Sequence, residues 1–303
     1  MIIAVASGKG GTGKTTIATS LALSLVATSD RFTPMAPGPL YLDCDVEAPN
    51  AHIFLNPNFD QRREVGISIP QVDKTKCNYC GKCAEVCQFH AIAVLGKNTL
   101  VFQQLCHGCG SCTLICPQEA IRETPRNMGV LEMGEAKPGI TLARGLLNLG
   151  EPMAVPVIRQ LKSWAKPQPH QVVIRDAPPG TSCPVVETLR GADYLLLVTE
   201  PTPFGLHDLK LAVQVGEQLK MPIGVVINRY GLGDESIELF CEAKDIPVLM
   251  VIPFDRAIAE GVARGKTLVE IRPEYIQGFQ RMFSSMLSCL DATPCSEIER
   301  IHV

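Results

Sequence analysis

The sequence has no apolar run approaching the ~18 residues that a membrane-spanning helix needs; its longest, such as 246–254, read as buried strands. It has no charge excess either. Its 28 basic and 31 acidic residues leave a net charge of −3, which gives no electrostatic reason to expect nucleic acid or an anionic membrane as partner. The amino terminus lacks a basic region and a cleavage site, running from Met1 through a short apolar stretch into a glycine-rich loop. No signal peptide is therefore expected, and the protein is expected in the cytoplasm. Charged residues make up only 19% against 46% hydrophobic ones, which excludes overall disorder and provides for a sizeable core. The 303 residues suffice for two average domains, or for one large α/β domain carrying an insertion. Thirteen cysteines are too few for a disulfide scaffold of this length, and their number is odd. Eight of them crowd between Cys77 and Cys116, which in a cytosolic chain points to metal rather than disulfides.

Several short apolar runs read as strands buried on both faces: Ile2–Ala6, Leu40–Asp43, 171–174, Tyr194–Thr199, 223–227 and 248–252. Helical patterns lie between most of them. Residues 14–27 put Ile17, Ala18, Leu21, Ala22 and Leu25 on one face; residues 273–290 do the same with Ile276, Phe279, Phe283, Met286 and Leu290. The latter helix has few basic residues, which favours core packing over membrane targeting. Strands alternating with helices predict an α/β domain, its mostly parallel sheet covered by helices on both faces. Residues 66–124 break this rhythm with an internal repeat offset by 29 residues: Cys77, Cys80, Cys83 and Cys87 map onto Cys106, Cys109, Cys112 and Cys116. The expected organisation is a first part of the α/β domain over 1–65, a small inserted α+β module over 66–124, and the remainder over 125–303. Residues 129–150 read as a hairpin-like connection.

Gly8, Lys9, Gly10, Gly11, Thr12, Gly13, Lys14 and Thr15, continuing into Thr16, follow a strand and open a helix. That is the context a phosphate loop requires. Its glycines let backbone N–H groups converge on phosphate oxygens at a positive helix terminus. Lys14 would reach the β/γ-phosphates of ATP, and the Thr15 hydroxyl would ligate Mg²⁺.

The early lysine, Lys9, gives the form Lys-Gly-Gly-x-Gly-Lys-Thr, which resembles the deviant Walker A motif of the MinD/ParA/Mrp/nitrogenase-iron-protein family. Asp43-Cys44-Asp45 resembles the family's switch I, and Asp176-Ala177-Pro178-Pro179-Gly180 its Walker B and switch II. Ile227-Asn228-Arg229 and Ile252-Pro253-Phe254-Asp255 resemble its adenine-contacting segments. The motifs occur in family order outside the inserted module. The resemblance implies a P-loop ATPase that sandwiches nucleotide in a homodimer, or in a heterodimer with a paralogue, where Lys9 reaches the partner's phosphates. It implies Asp45 as the residue orienting the attacking water, Asp43 near the Mg²⁺ shell and Asp176 holding Mg²⁺ through water. Asn228, Arg229 and Pro253 would bind the base. Two alternatives stand beside these roles: Asp43 and Asp45 as helix caps, and Asn228 as a turn residue.

Cys-x2-Cys-x2-Cys-x3-Cys occurs twice, and the second copy continues into Pro117 where the first has Gln88. This is the bacterial ferredoxin run, in which the fourth cysteine of each copy ligates the other cluster. One [4Fe–4S] cluster then takes Cys77, Cys80, Cys83 and Cys116, and the other Cys106, Cys109, Cys112 and Cys87. Zinc and structural thiols are the alternatives; zinc more usually takes two separated pairs. Cys183 lies seven residues after Asp176, a distance at which the nitrogenase iron protein carries a cluster ligand. No partner motif accompanies it, Cys44 and Cys241 being only nominal candidates, and it reads as a small core residue beginning a helix, since free cysteine is among the most buried types.

The combination resembles MinD/Mrp-type ATPases with an inserted two-[4Fe–4S] ferredoxin domain. That resemblance implies ATP-gated electron transfer to a partner metalloprotein or redox protein. A carrier or scaffold for cluster assembly is the alternative, and a MinD/ParA-like positioning ATPase a third. Eight complete ligands favour permanent redox clusters. Cys289 and Cys295, with five residues between them, do not match the Cys-Pro-x-Cys site of Mrp-type scaffolds.

Overall fold

In β1 (Ile2–Ala6) every second side chain faces the same way. Ile3 and Val5 enter one core beneath α1 (Lys14–Val26), while Ala4 and Ala6 enter another on the opposite face. The computed structural model describes residues 1–26, 37–137 and 139–291. The strands β2 (Leu40–Asp43), β3 (Asn58–Val72), β6 (Ile121–Ala136), β7 (Ile140–Leu147), β8 (Val173–Asp176), β9 (Tyr194–Thr199), β10 (Ile223–Tyr230) and β11 (Val248–Pro253) join β1 in one sheet of order β11-β10-β9-β1-β8-β2-β7-β6-β3. From β11 to β7 neighbouring strands are parallel; β6 and β3 are antiparallel additions at one edge.

Helices cover both faces, as parallel strands require. On one side lie α1 and α11 (Tyr275–Asp291), which bury Ile17, Leu21, Phe279, Met282 and Met286 with the short α2 (Ala51–Leu55) and α10 (Leu268–Ile271). On the other lie α6 (Cys183–Leu189), α7 (Pro203–Gln218) and α8 (Ser236–Ala243), which bury Val185, Leu209, Val213 and Ile237. The helix α5 (Val155–Trp164) closes a third core over β2, β6 and β7 through Val157, Ile158 and Leu161. The helix α9 (Arg256–Ala263) follows β11 and is anchored by the Asp255 carboxylate, which accepts from the Ala257 N–H at 2.7 Å. Among the described residues no helix is long and apolar enough to cross a membrane.

Some boundaries differ from the sequence expectation. Strand β8 is shifted from the expected 171–174 to Val173–Asp176, because Arg175 and Asp176 are buried in the ladders to β1 and β2 although charged. Strand β10 likewise absorbs Asn228 and Arg229. The first expected helix ends at Val26, and Ala27 lies outside the described residues. The last begins at Tyr275, two residues beyond the helix-breaking Pro273.

The stretch 129–150 is indeed a hairpin, and β6 is longer than expected because it pairs with β3 along its whole length. That long ribbon slips register at Val65/Gly66, where a Cβ on Gly66 would lie 2.0 Å from the Arg126 carbonyl oxygen. At its far end, between Val72 and Ile121, the chain forms a two-stranded sheet of β4 (Ile92–Leu95) and β5 (Asn98–Val101) and two one-turn helices, α3 (Lys82–Glu85) and α4 (Ser111–Leu114). The 29-residue repeat is visible there, since α3 and α4 are each led by a left-handed glycine, Gly81 at φ +82° and Gly110 at φ +74°.

Candidate functional site

The strand β1 delivers the chain into a loop that ends where α1 begins, at the carboxyl edge of the sheet, where open parallel sheets present their crevice. Gly11 and Gly13 take φ of +81° and +90°, which side chains with a Cβ rarely adopt. A Cβ on Gly8 would lie 2.3 Å from the Asp208 carbonyl oxygen, and one on Gly13 would lie 2.4 Å from Asn228 Nδ2. Thr12 Oγ1 is buried without a partner in the protein alone, a polar atom left for a ligand to satisfy.

The loop, Asp45, Asn228, Arg229 and Pro253 border a cleft of about 340 Å³, walled on its apolar side by Phe54, Ile258, Val262 and Leu268. Inside it Lys14 is ion-paired with the fully buried Asp176. The other Asp176 oxygen accepts from Thr15 Oγ1 at 2.7 Å and from the Tyr41 hydroxyl at 2.9 Å. Asp43 is fully buried and accepts from the N–H groups of Asn50 and Ala51, both at 3.0 Å, and of Asp45 at 3.2 Å. In this state it anchors the entrance to α2, as in the helix-cap alternative. Asn228 donates to the Thr12 carbonyl at 2.8 Å, fastening the end of β10 to the phosphate loop, so it is more than a turn residue.

Two partners of these residues went unread in the sequence. Glu200, just past β9, pairs with Lys9 and also accepts from Arg229 Nη1 at 2.9 Å, so Lys9 is held within its own chain here. Tyr41 is the other. Glu200 could have been flagged only by its place at the carboxyl end of an apolar strand, and Tyr41 only as a polar hydroxyl inside an apolar run.

Burial, with Asp176 second, pushes the Asp43 carboxyl up to about 7, against the Ala51 N–H and Lys14. Burial and then Asp176 also raise Asp45, against the pull of Lys14. The consequence of a raised Asp43 has a definite sign. Between about pH 4, where the unfolded carboxyl ionises, and about pH 7, the folded chain retains a proton that the unfolded chain has released. Stability therefore falls as pH rises through that window and stays reduced above it. Denaturant titrations of nucleotide-free protein should show a loss of ~2–4 kcal/mol across it, and Asp43→Asn, which keeps an accepting oxygen, should flatten the profile.

The eight clustered cysteines form two sets, one around each of two small cavities. Cys77, Cys80, Cys83 and Cys116 line one, between the ends of β3 and β6 at Val72 and Ile121. Cys87, Cys106, Cys109 and Cys112 line the other, nearer the large sheet beside Ser68 and Pro70. Each cavity brings the fourth cysteine of one run to the first three of the other. Backbone N–H groups already aim at the sulfurs, Ala91 at Cys87 (3.2 Å) and its repeat counterpart Ala120 at Cys116 (3.3 Å). Burial raises the Cys83, Cys106 and Cys112 thiols, whereas the Ser111 side chain and backbone lower Cys109. Among the described residues no group of three or more His, Cys, Asp or Glu is placed to hold a single metal ion. Cys183 opens α6 as expected but is exposed rather than a core residue, because the buried face of that helix is carried by Val185 and Leu189; Cys44 and Cys241 are buried. Cys289 is disulfide-bonded, and Cys295 lies outside the described residues.

Residues 3–269 match the model of the CobQ/CobB/MinD/ParA nucleotide-binding domain. The chain belongs to this family. An uncharacterized protein of Methanocaldococcus jannaschii is 31% identical over 272 residues, covering 89% of this chain and 92% of that one. A protein of Aquifex aeolicus described as an iron-sulfur cluster carrier is 25% identical over 288 residues, covering 90% of this chain and 63% of that one. Among solved structures, the septum site-determining protein MinD of Pyrococcus horikoshii, in complex with Mg-ADP, superposes with a TM-score of 0.56 at 21% identity, covering 97% of this chain and 99% of that one. At that identity the likeness is one of fold. The family is described as nucleotide-binding, and the phosphate-loop residues 10–16 border the cleft of about 340 Å³.

Proposed function

We propose that the protein is a Mg²⁺-dependent ATPase that couples its nucleotide state to two [4Fe–4S] clusters, transferring electrons to a partner metalloprotein or redox protein. The observation that carries this reading is the pair of cysteine quartets, each completed by the fourth cysteine of the opposite run, on a ribbon continuous with the nucleotide-binding sheet. Four thiolates around each cavity match the donor set of a four-iron cluster, and bound clusters would supply one-electron redox chemistry. Residues 66–124 are then a ferredoxin-like insertion between ATPase segments 1–65 and 125–303. The crossed pairing requires both runs to fold together.

In the nucleotide site, Lys14 would neutralise phosphate charge and the Thr15 hydroxyl would ligate Mg²⁺, both leaving Asp176 to do so. Asp176 would then hold Mg²⁺ through water and sense the γ-phosphate. Asp45 orients the attacking water, with Asp43 behind it. Asn228, Arg229 and Pro253 frame the base against the apolar wall. Lys9 leaves Glu200 to reach the phosphates of a second subunit, either another copy or a paralogue.

A set of contacts joins this site to the ribbon. Lys162 of α5 donates to the Arg190 carbonyl just past α6 (3.0 Å). Gln160 of the same helix donates to the Gly66 carbonyl at the register slip (2.7 Å). Arg126 pairs with Glu151 and donates to the Gln103 carbonyl (2.6 Å), just ahead of Cys106. A switch II movement carried through α6 and α5 would shift the quartets at this hinge.

The second reading, an ATP-dependent carrier or scaffold for cluster assembly, draws on the cluster-carrier relative. Complete ligation by eight cysteines favours resident redox clusters over a transferable one.

Lys9→Ala tests the ATPase part. The variant should still bind nucleotide, yet lose hydrolysis and ATP-dependent dimerisation. Phosphate release and light scattering check it, and normal turnover would refute the two-subunit site. Anaerobic affinity capture with and without ATP tests the coupling: a redox metalloprotein held in one nucleotide state supports electron transfer, and an apo-client that leaves with iron supports the carrier reading.

A further inference from the structure

We propose that the side chains around the two quartets make them electronically unequal, so that the Cys77/Cys80/Cys83/Cys116 site takes the first electron and the Cys87/Cys106/Cys109/Cys112 site the second. The inference rests on the cluster reading above and adds the order of reduction. The 29-residue repeat supplies an internal comparison, because residues lining one cavity have counterparts lining the other.

The differences are chemical. Glu123 borders the site of Cys87, and its counterpart at the site of Cys116 is Val94. Lys82 borders the site of Cys116, where the other site has Ser111. One site therefore has a carboxylate and the other an ammonium. Phe89 and His107, ring centroids 3.7 Å apart and 11° from parallel, stack beside the Cys87 site. Their counterparts at the other site are two amides, Gln118 and Asn78. The Asn78 side-chain oxygen accepts from the Cys80 N–H at 3.3 Å, which leaves its NH₂ group to donate.

Reducing a four-iron cluster adds one unit of negative charge. A nearby cation and amide donors favour that step, whereas a carboxylate opposes it and the Phe89 ring offers no donor. Both differences thus act with the same sign. Some neutral contacts match: each site has one alanine N–H on its fourth cysteine and one hydroxyl near a thiol, Thr99 at Cys77 (3.8 Å) and Ser111 at Cys109 (3.4 Å). Three contacts at the Cys87 site work the other way, the Gly108 N–H on Cys106 at 3.4 Å, the Ser111 N–H on Cys109 and the Thr113 side chain on Cys112, and the charge difference must outweigh them. The nearby guanidinium of Arg126 is already paired with Glu151. Lys82 and Glu123 are both exposed, so water and salt reduce their effect.

The geometry gives the order a direction. The Cys87 site adjoins the ribbon, where a Cβ on Gly108 would lie 3.0 Å from the Ser68 carbonyl, whereas the Cys116 site lies beyond it at Val72 and Ile121. The first electron settles at the end farther from the register slip.

The test is a potentiometric titration of the full chain, purified without oxygen, with titanium(III) citrate as one-electron reductant, followed by visible absorption and electron paramagnetic resonance. Two waves are expected, with at least a tenfold preference for the first site, equivalent to about 59 mV for a one-electron couple. Phe89→Gln with Glu123→Val should raise only the lower potential, Lys82→Ser should lower only the higher one, and added salt should narrow the gap. Iron content near eight per chain with a single wave, or movement of the higher potential by the Phe89/Glu123 variant, would overturn the inference while leaving the clusters in place. Zinc, or iron well below eight, would overturn the cluster reading and this inference with it.

Discussion

Lys14→Ala should abolish nucleotide binding and destabilise the empty protein as well. Lys14 is the cation of the phosphate loop, and its loss is expected to weaken ATP binding at least ~100-fold, about 2.7 kcal/mol. In the nucleotide-free chain it is also the partner of Asp176, which has no exposure and lies close enough to Asp43 to help raise that carboxyl. Removing one member of a buried pair strands the other charge, at roughly 3–5 kcal/mol. The two effects separate in the double variant: Lys14→Ala with Asp176→Asn should recover most of the lost folding stability and none of the binding. Denaturant titration and fluorescent-nucleotide binding read the two quantities independently. Recovery of binding in the double variant would mean that Lys14 only supports the fold.

Cys87→Ala should lower the iron content from about eight to about four, and Cys116→Ala should do the same at the other site. Combinations decide the pairing. Under the crossed arrangement, Cys87→Ala with Cys106→Ala strikes one site twice and leaves about four irons, whereas Cys87→Ala with Cys77→Ala strikes both and leaves almost none. Pairing within each run predicts the reverse pattern. Metal analysis and visible absorption of the four variants distinguish the two.

The phosphate loop was legible in the sequence because its geometry leaves few residue choices. Gly8 and Gly13 stand where a Cβ would collide with neighbouring atoms, and Gly11 and Gly13 adopt left-handed backbone. The central strands were legible for a related reason, since burial on both faces demands unbroken apolar runs. The edge ribbon was not. Asn58–Val72 includes Asp60, Gln61, Arg62, Arg63 and Glu64, which are exposed, so no period marks this strand, and its partner β6 defines it only across the insertion. Strand β8 was misjudged at its end because Arg175 and Asp176 are buried through polar partners rather than apolar character. Glu200 was missed because a single carboxylate after a strand carries no spacing signal; its meaning arises only when the fold brings Lys9 and Arg229 to it. The cysteines that line each cavity are grouped as the repeat and the ferredoxin rule together imply. The chemistry that distinguishes the two sites, Glu123 against Lys82, emerged only from the cavity walls.

Iron and acid-labile sulfide counted against protein, after purification without oxygen, test the central claim most directly. The account predicts about eight of each per chain and a brown protein, the sum of two four-iron clusters. Zinc in place of iron, or iron near four or absent from folded, nucleotide-binding protein, would contradict it.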